Sequence, residues 1–268
     1  MDTTTGRIAH LERVNYLAMQ PVVQATPGLD LVLRDDIVMT SSEIFPTPDT
    51  THACLLQSTS GMADDLVNEA IAYFESKGLP TTVFISPACT PSDLSTWNRR
   101  LLRRGFVRRE AVEAWMVLEN LSDFEIPPPS PGVVVRQVSG DEVATFAEVF
   151  MTAFGLALDF APHMVRMLEP AVGLPDFYHY IALIDGCPVG TSLWRRYERF
   201  GILGGTGVVP AYRGRGVATS LAIRAATEAR EQGVDTLVLQ TDADTWLERL
   251  LSLSGFKRVF TRTGYTLP

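Results

Sequence analysis

The chemistry of this chain is most legible at residues 208–219, Val-Val-Pro-Ala-Tyr-Arg-Gly-Arg-Gly-Val-Ala-Thr. Arg213 and Arg215 bring two permanent positive charges and planar, forked donors, which suit a phosphate or carboxylate. Gly214 and Gly216 let a ligand approach the backbone, because no Cβ stands in the way. Downstream, Val217, Ala218, Leu221, Ala222, Ala225, Ala226 and Ala229 fall at helical spacing, with Arg224, Glu228, Arg230 and Glu231 on the other face. Upstream, residues 202–209 read as a glycine-rich strand with a bulge or a close backbone approach. The pattern is a strand-to-helix turn. The first turn of such a helix leaves N–H groups unpaired and carries a partial positive charge. A phosphate fits there.

Three readings of the turn compete. It could serve only to pack a helix on a sheet. It could begin a dinucleotide fingerprint, but Thr219 stands at the third glycine position and too little chain follows for a doubly wound domain. A phosphate loop is excluded, since no Gly-Lys-Ser/Thr follows. The third reading is a cradle for the diphosphate of coenzyme A. Here the stretch resembles the acyl-CoA signature of the GNAT acyltransferase superfamily: valine, any residue, proline, two residues, arginine or glutamine, two residues, glycine, any residue, glycine or alanine. Val208, Pro210, Arg213, Gly216 and Ala218 match it in order.

That resemblance implies acetyl-CoA as co-substrate and no metal. Thr206, Gly207 and Val208 would meet the pantetheine arm. Arg213, Gly214, Arg215, Gly216, Val217, Ala218 and Thr219 would meet the diphosphate, and Asp244, standing where the family has asparagine, joins the cofactor set. The implied reaction is N-acetyl transfer to a primary amine of a small molecule or peptide, by direct attack in a ternary complex. The alternatives are a non-catalytic acyl-CoA sensor and a purely structural protein. The family's usual acid is a tyrosine four residues before a helix-ending glycine, but counting back from Gly255 gives Leu251. Tyr265 is the candidate substitute, with Ser252 or water behind it. Glu198 is the candidate base, with Asp176, His179 and Glu148 as alternatives. Phe150, Phe154, Phe160, Phe177, Tyr178 and Trp194 flank the expected substrate side, and core packing accounts for most of them.

Composition narrows the classes. The chain has 268 residues, 46% of them apolar, enough for one large or two ordinary domains. No apolar run approaches the roughly 18 residues of a membrane span, and the first 20 residues lack a signal pattern. Cys54, Cys89 and Cys187 have no metal-ligand spacing, which suits a reduced, cytoplasmic setting. The net charge of −8 argues against a nucleic-acid partner. Residues 1–132 carry −7 and residues 133–268 only −1, so the half with the proposed anion site is nearly neutral. The expected partner is a small-molecule amine, with the chain a monomer or homodimer.

Along the chain, helices are predicted over residues 7–19, 62–77, 93–104, 141–153, 162–168, 217–231 and 244–252. Strands are predicted in pieces over 21–60, then at 82–86, 114–118, 133–138, 177–184, 189–196, 202–209, 236–240 and 256–263, with Asp185-Gly186 as a hairpin turn. The arginines at 99, 100, 103, 104, 108 and 109 read as a solvated edge. Residues 122–132, rich in proline, read as a stiff linker. An internal echo joins the two sides of it: Trp97, Arg100-Leu101-Leu102 and Gly105-Phe106 match Trp246, Arg249-Leu250-Leu251 and Gly255-Phe256 in order. The expected fold is therefore α/β (α+β): two GNAT-like lobes, each a mixed, mostly antiparallel sheet flanked by helices. The expected domains are a degenerate GNAT-like lobe at 1–121, the linker at 122–132 and a GNAT N-acetyltransferase domain at 133–268. This tandem arrangement is similar to that of mycothiol synthases. The first lobe has Ser58-Thr59-Ser60-Gly61-Met62 in place of the cradle and is expected to hold no cofactor.

Overall fold

A computed structural model describes residues 3–58 and 63–268. In chain order the elements are α1 (Thr3–Leu17), α2 (Gln20–Ala25), β1 (Leu29–Leu33), β2 (Val38–Ser42), β3 (His52–Cys54), α3 (Ala63–Ser76), β4 (Thr82–Ile85), α4 (Leu94–Arg103) and β5 (Val107–Leu118). There follow β6 (Val133–Gln137), α5 (Val143–Phe154), α6 (Ala161–Leu168), β7 (Phe177–Ile184), β8 (Cys187–Tyr197) and β9 (Phe200–Val208). The chain ends with α7 (Val217–Glu231), β10 (Thr236–Asp242), α8 (Trp246–Leu253) and β11 (Lys257–Thr266).

These elements form two compact units, Met1–Val117 with Gln240–Pro268, and Leu118–Leu239. The expected boundaries ended the first lobe at 121 and gave everything from 133 onward to the second. The pairing of β11 explains the difference. It lies antiparallel between β4, through Thr263↔Ile85 and Tyr265↔Val83, and β5, through Phe260↔Trp115 and Arg262↔Glu113. The final strand therefore completes the first unit's sheet. Residues 20–25, expected within a stretch of strands, form helix α2, with Pro21 in its first turn, where a missing N–H costs nothing.

In the first unit the strand order is β1–β2–β3–β4–β11–β5. Its neighbours are antiparallel except β3 and β4, which run parallel around α3 through Ala53↔Val83. Phe74, Val83, Ile85, Trp97, Leu101 and Tyr265 share its core. Asp93 caps α4 by accepting from the Ser95 amide at 2.9 Å, as the residue type suggested. The echo at Trp97 and Trp246 does not extend to packing: Trp97 is fully buried, whereas Trp246 is 73% exposed.

In the second unit the order is β6–β7–β8–β9–β10. Only β9 and β10 are parallel, as expected of a crossover through α7. Asp185 (φ 51°) and Gly186 (φ 79°) make the two-residue turn from β7 to β8. α5 packs on β8 and β9, and α7 packs on β6 to β9. A polar chain running from the core to the surface fastens α7 to the sheet. Trp194 Nε1 donates to the Tyr180 hydroxyl at 3.1 Å, that hydroxyl donates to Glu228 at 2.6 Å, and Arg224 donates to the same carboxylate oxygen at 2.8 Å.

Candidate active site

β9 and β10 keep register only from Thr236↔Phe200 to Val238↔Ile202. Beyond Ile202, β9 has no register partner on that side among the described residues. On its other side it continues along β8 to Gly190↔Val208, with an irregularity between Thr191 and Leu193. Gly205, at φ 58°, supplies the left-handed residue at that irregularity. Ser192 and Thr206 bond through their hydroxyls at 2.8 Å, and the Thr191 hydroxyl donates to the Gly205 carbonyl at 3.1 Å. The strand expected to meet a pantetheine arm thus has one laced edge and one free edge.

After Val208 the Val209 amide bonds to the Val189 carbonyl at 2.9 Å, and residues 210–212 make a short 3-10 turn. Gly214 (φ 76°) and Gly216 (φ 77°) then turn the chain into α7. Gly216 is the N-cap and has no side chain to satisfy the helix start. The first helical bond runs from the Ser220 amide to the Gly216 carbonyl at 2.9 Å. The amides of Val217, Ala218 and Thr219 precede it, and Ala218 and Thr219 are exposed. Gly214 is open as well: a Cβ built on it would meet no atom within 4 Å.

The two glycines differ. A Cβ on Gly216 would overlap the Ser130 hydroxyl oxygen and lie 2.5 Å from the Ser130 Cβ. Ser130 comes from the proline-rich segment, and its amide bonds to the Ser220 hydroxyl at 3.1 Å. Since Ser220 is buried, this segment passes along the packed side of the helix start. Gly216 is therefore required by that contact and by its positive φ, and Gly214 faces the open side.

The arginines differ too. Arg213 Nε donates to the Val208 carbonyl at 3.2 Å, and a terminal nitrogen donates to the Ala153 carbonyl at 2.9 Å. It thereby ties the end of β9 to the end of α5, a clasp between residues 60 positions apart that no local pattern announces. Arg215 lies over the Tyr212 ring, 5.2 Å from its centroid. Neither has a carboxylate partner among the described residues, so their positive charge stands uncompensated beside the helix start.

The remaining candidates do not gather here. Glu198 (φ 51°) occupies the exposed β8–β9 turn, at the opposite end of β9 from Val208. Eight residue rises, about 26 Å, separate those ends. Asp176 is held by Arg196 Nε at 2.7 Å. His179 is buried, edge-on to Phe146 at 5.8 Å. Burial, with the Arg195 charge second, pulls its pKa down to about 4, so it is neutral at pH 7. Glu148 is exposed on α5. Tyr265 and Asp244 both fall in the first unit. Tyr265 is buried there, its hydroxyl donating to Asn98 at 3.1 Å, while Asp244 is exposed and receives Arg258 at 3.1 Å. Ser252, the other acid candidate, bonds to the Glu248 carbonyl within α8.

Among the described residues no group of three or more His, Cys, Asp or Glu could hold a metal ion, and no helix is long and apolar enough to cross a membrane.

Residues 144–256 match the model of the acetyltransferase (GNAT) family. No curated protein matches the chain. Among solved structures, a GCN5-related N-acetyltransferase from Kribbella flavida is 17% identical, with a TM-score of 0.70 over 100% of this chain and 96% of its own. A GCN5-related N-acetyltransferase from Sphaerobacter thermophilus is 19% identical, with a TM-score of 0.64 over 97% and 90%. A tandem GNAT protein from the clavulanic acid biosynthesis pathway is 15% identical, with a TM-score of 0.61 over 95% and 94%. The matched span begins on α5, takes in β9, the glycine turn and α7, and stops just before β11, so that over these residues the chain is similar to the acetyltransferase (GNAT) family, which supports an acyltransferase.

Proposed function

We propose that this chain transfers the acetyl group of acetyl-CoA to a primary amine of a small molecule or peptide. The observation that carries this reading is an uncapped helix start, open at Gly214, Ala218 and Thr219, directly following a strand whose edge is free from residue 203 to residue 208. The residues present fit the co-substrate. The amides of residues 217–219 and the Arg215 charge would hold the diphosphate. The free backbone edge at Thr206, Gly207 and Val208 would hold the amide-bearing arm. When bound, acetyl-CoA supplies an activated acyl group. In the transfer, the neutral amine nitrogen bonds to the carbonyl carbon and the carbon–sulfur bond breaks with its electron pair going to sulfur. The proton lost by nitrogen is balanced by the one gained by sulfur, giving an amide and a free thiol.

This chain's residues act mainly by positioning, which converts an encounter into an oriented pair. Arg213 keeps Val208 and α5 in one arrangement, and the dipole of α7 offsets the phosphate charge. Glu198 lies a strand length away and His179 is buried and neutral, so neither is placed to take the proton from the amine. Calorimetry with acetyl-CoA followed by thiol release over a panel of amines tests the reading. Saturable binding with amine-dependent thiol release is expected. Absence of binding at millimolar acetyl-CoA would remove the reading, and binding without turnover on any amine would make the protein a sensor.

A further inference from the structure

After α5 the chain runs over seven consecutive exposed residues, 154–160. Among them Phe154 is 46%, Leu156 39%, Leu158 56% and Phe160 51% exposed. Single apolar residues on a surface are ordinary, but four large ones within seven positions make a patch that marks a binding surface. The patch is held in place. Arg213 clasps the Ala153 carbonyl at its start. Phe154 rests on β9 so closely that a Cβ on Gly207 would lie 2.7 Å from its ring. Phe146, Phe150 and Phe154 form a row along α5, with ring centroids 6.4 and 4.5 Å apart, running from the core to the surface. The row surfaces beside Gly207, in the strand stretch assigned above to the pantetheine arm. Asp159 is the only ionisable residue of the segment, is exposed, and has no ion-pair partner among the described residues.

We infer that this patch receives the apolar body of the acceptor, so that the substrate is a primary amine on an aromatic or branched aliphatic frame, with Asp159 the counter-charge for its ammonium group. The inference rests on the acyl-transfer reading. A polyamine or an aminoglycoside carries several positive charges and calls for several carboxylates, whereas this segment offers one. The apolar area beside the carboxylate suits a single ammonium on a greasy frame.

The test uses the full chain, phenethylamine and spermidine as probes, and the double variant Leu158→Ser/Phe160→Ser, which changes only exposed positions. For the unaltered chain, kcat/KM with phenethylamine should exceed that with spermidine at least tenfold. In the double variant it should fall at least tenfold, mainly through KM, with the Kd for acetyl-CoA unchanged. A double variant within twofold of the unaltered chain would overturn the inference, as would equal or better turnover of spermidine. A dimer that the double variant converts to monomer would also overturn it, because a second copy would then cover the patch. If the chain fails to bind acetyl-CoA, the acyl-transfer reading falls separately. The patch is then decided by saturation-transfer NMR with phenethylamine alone: a transfer signal that disappears in the double variant upholds it, and no signal, or an unchanged one, ends it.

Discussion

Gly214 and Gly216 share a left-handed backbone, but a side chain would act differently at each. At Gly216 it would strike Ser130, so a loss of binding there could follow from a displaced helix start. At Gly214 it would project into open space, where the diphosphate is proposed to lie. Asn and Asp both tolerate positive φ, so Gly214→Asn controls for backbone strain and Gly214→Asp adds only charge. Like charges a few ångströms apart at a surface cost about 1–4 kcal/mol. Calorimetry should therefore give Gly214→Asp a Kd for acetyl-CoA at least tenfold weaker than Gly214→Asn; equal values for the pair would contradict the diphosphate assignment. His179 gives a pH prediction at the same scale. Its pKa falls from 6.5 in the unfolded chain to about 4 when folded, with burial the larger cause. A depressed histidine pKa means that the unfolded chain binds the extra proton, so stability is complete above pH 6.5 and is lost as the pH drops toward 4. At pH 5.5 the loss is about 1.4 kcal/mol. Urea unfolding at pH 7.5 and 5.5 should show His179→Leu losing that much less than the unaltered chain on acidification. Parallel losses would mean that the imidazole is accessible to protons in the folded state.

Among the elements, β11 has the most distant partners in sequence. Its Arg262 is buried, donates to Glu113 at 2.5 Å, to Glu12 at 3.3 Å and to the Tyr16 hydroxyl at 2.9 Å, and lies over the Phe84 ring at 4.2 Å. Tyr16 in turn meets His52 at 2.7 Å, and Ser86 donates to Glu12 at 2.7 Å. One arginine thus joins the last strand to α1, β4 and β5. Removing one member of a buried pair strands the other, at about 3–5 kcal/mol. Arg262→Met should lower the first unit's unfolding free energy by that amount in urea titration; a change below about 1 kcal/mol would mean that water reaches Glu12 and the network is slack. This network also marks the limit of what the residues alone convey. The turn at residues 208–219 was legible because its signals are local: proline, two glycines, two arginines and a helical repeat within one short stretch. The Asp185-Gly186 hairpin was legible for the same reason. The placement of β11 was not, since alternation shows which face of a strand is buried but not which strand it joins. Arg262 resembles any surface arginine until Glu12, 250 residues earlier, is brought to it. Helix α2 was missed because six residues leave too little periodicity to read. Ser130 and Ala153 were missed because they touch the turn only through folding.

At the scale of the whole molecule, two parallel crossovers stand out among the described residues, β3–α3–β4 and β9–α7–β10. They differ where a cofactor arm would lie. In the second, β9 has no register partner along one edge after its last pair with β10, among the described residues. In the first, the chain beyond β3 is joined to the segment following β4: the Thr90 amide bonds to the Leu56 carbonyl at 2.8 Å and the Ser58 amide to the Thr90 carbonyl at 3.3 Å. The Gln57 side chain adds bonds to the Ala88 carbonyl and, at 3.0 Å, from the Thr90 hydroxyl. These groups would have to exchange partners before an arm could pair with that backbone, and each bond left unmade in a buried setting costs about 1–3 kcal/mol. Thr59, Ser60, Gly61 and Met62, the expected replacement for the cradle, lie outside the described residues, so it is the joined segments that bar the arm. The chain should therefore take up one acetyl-CoA, not two. Calorimetry should return a stoichiometry near one, with that single equivalent bound at least tenfold more weakly in Gly214→Asp. A stoichiometry near two would mean that the first crossover opens and holds a cofactor of its own.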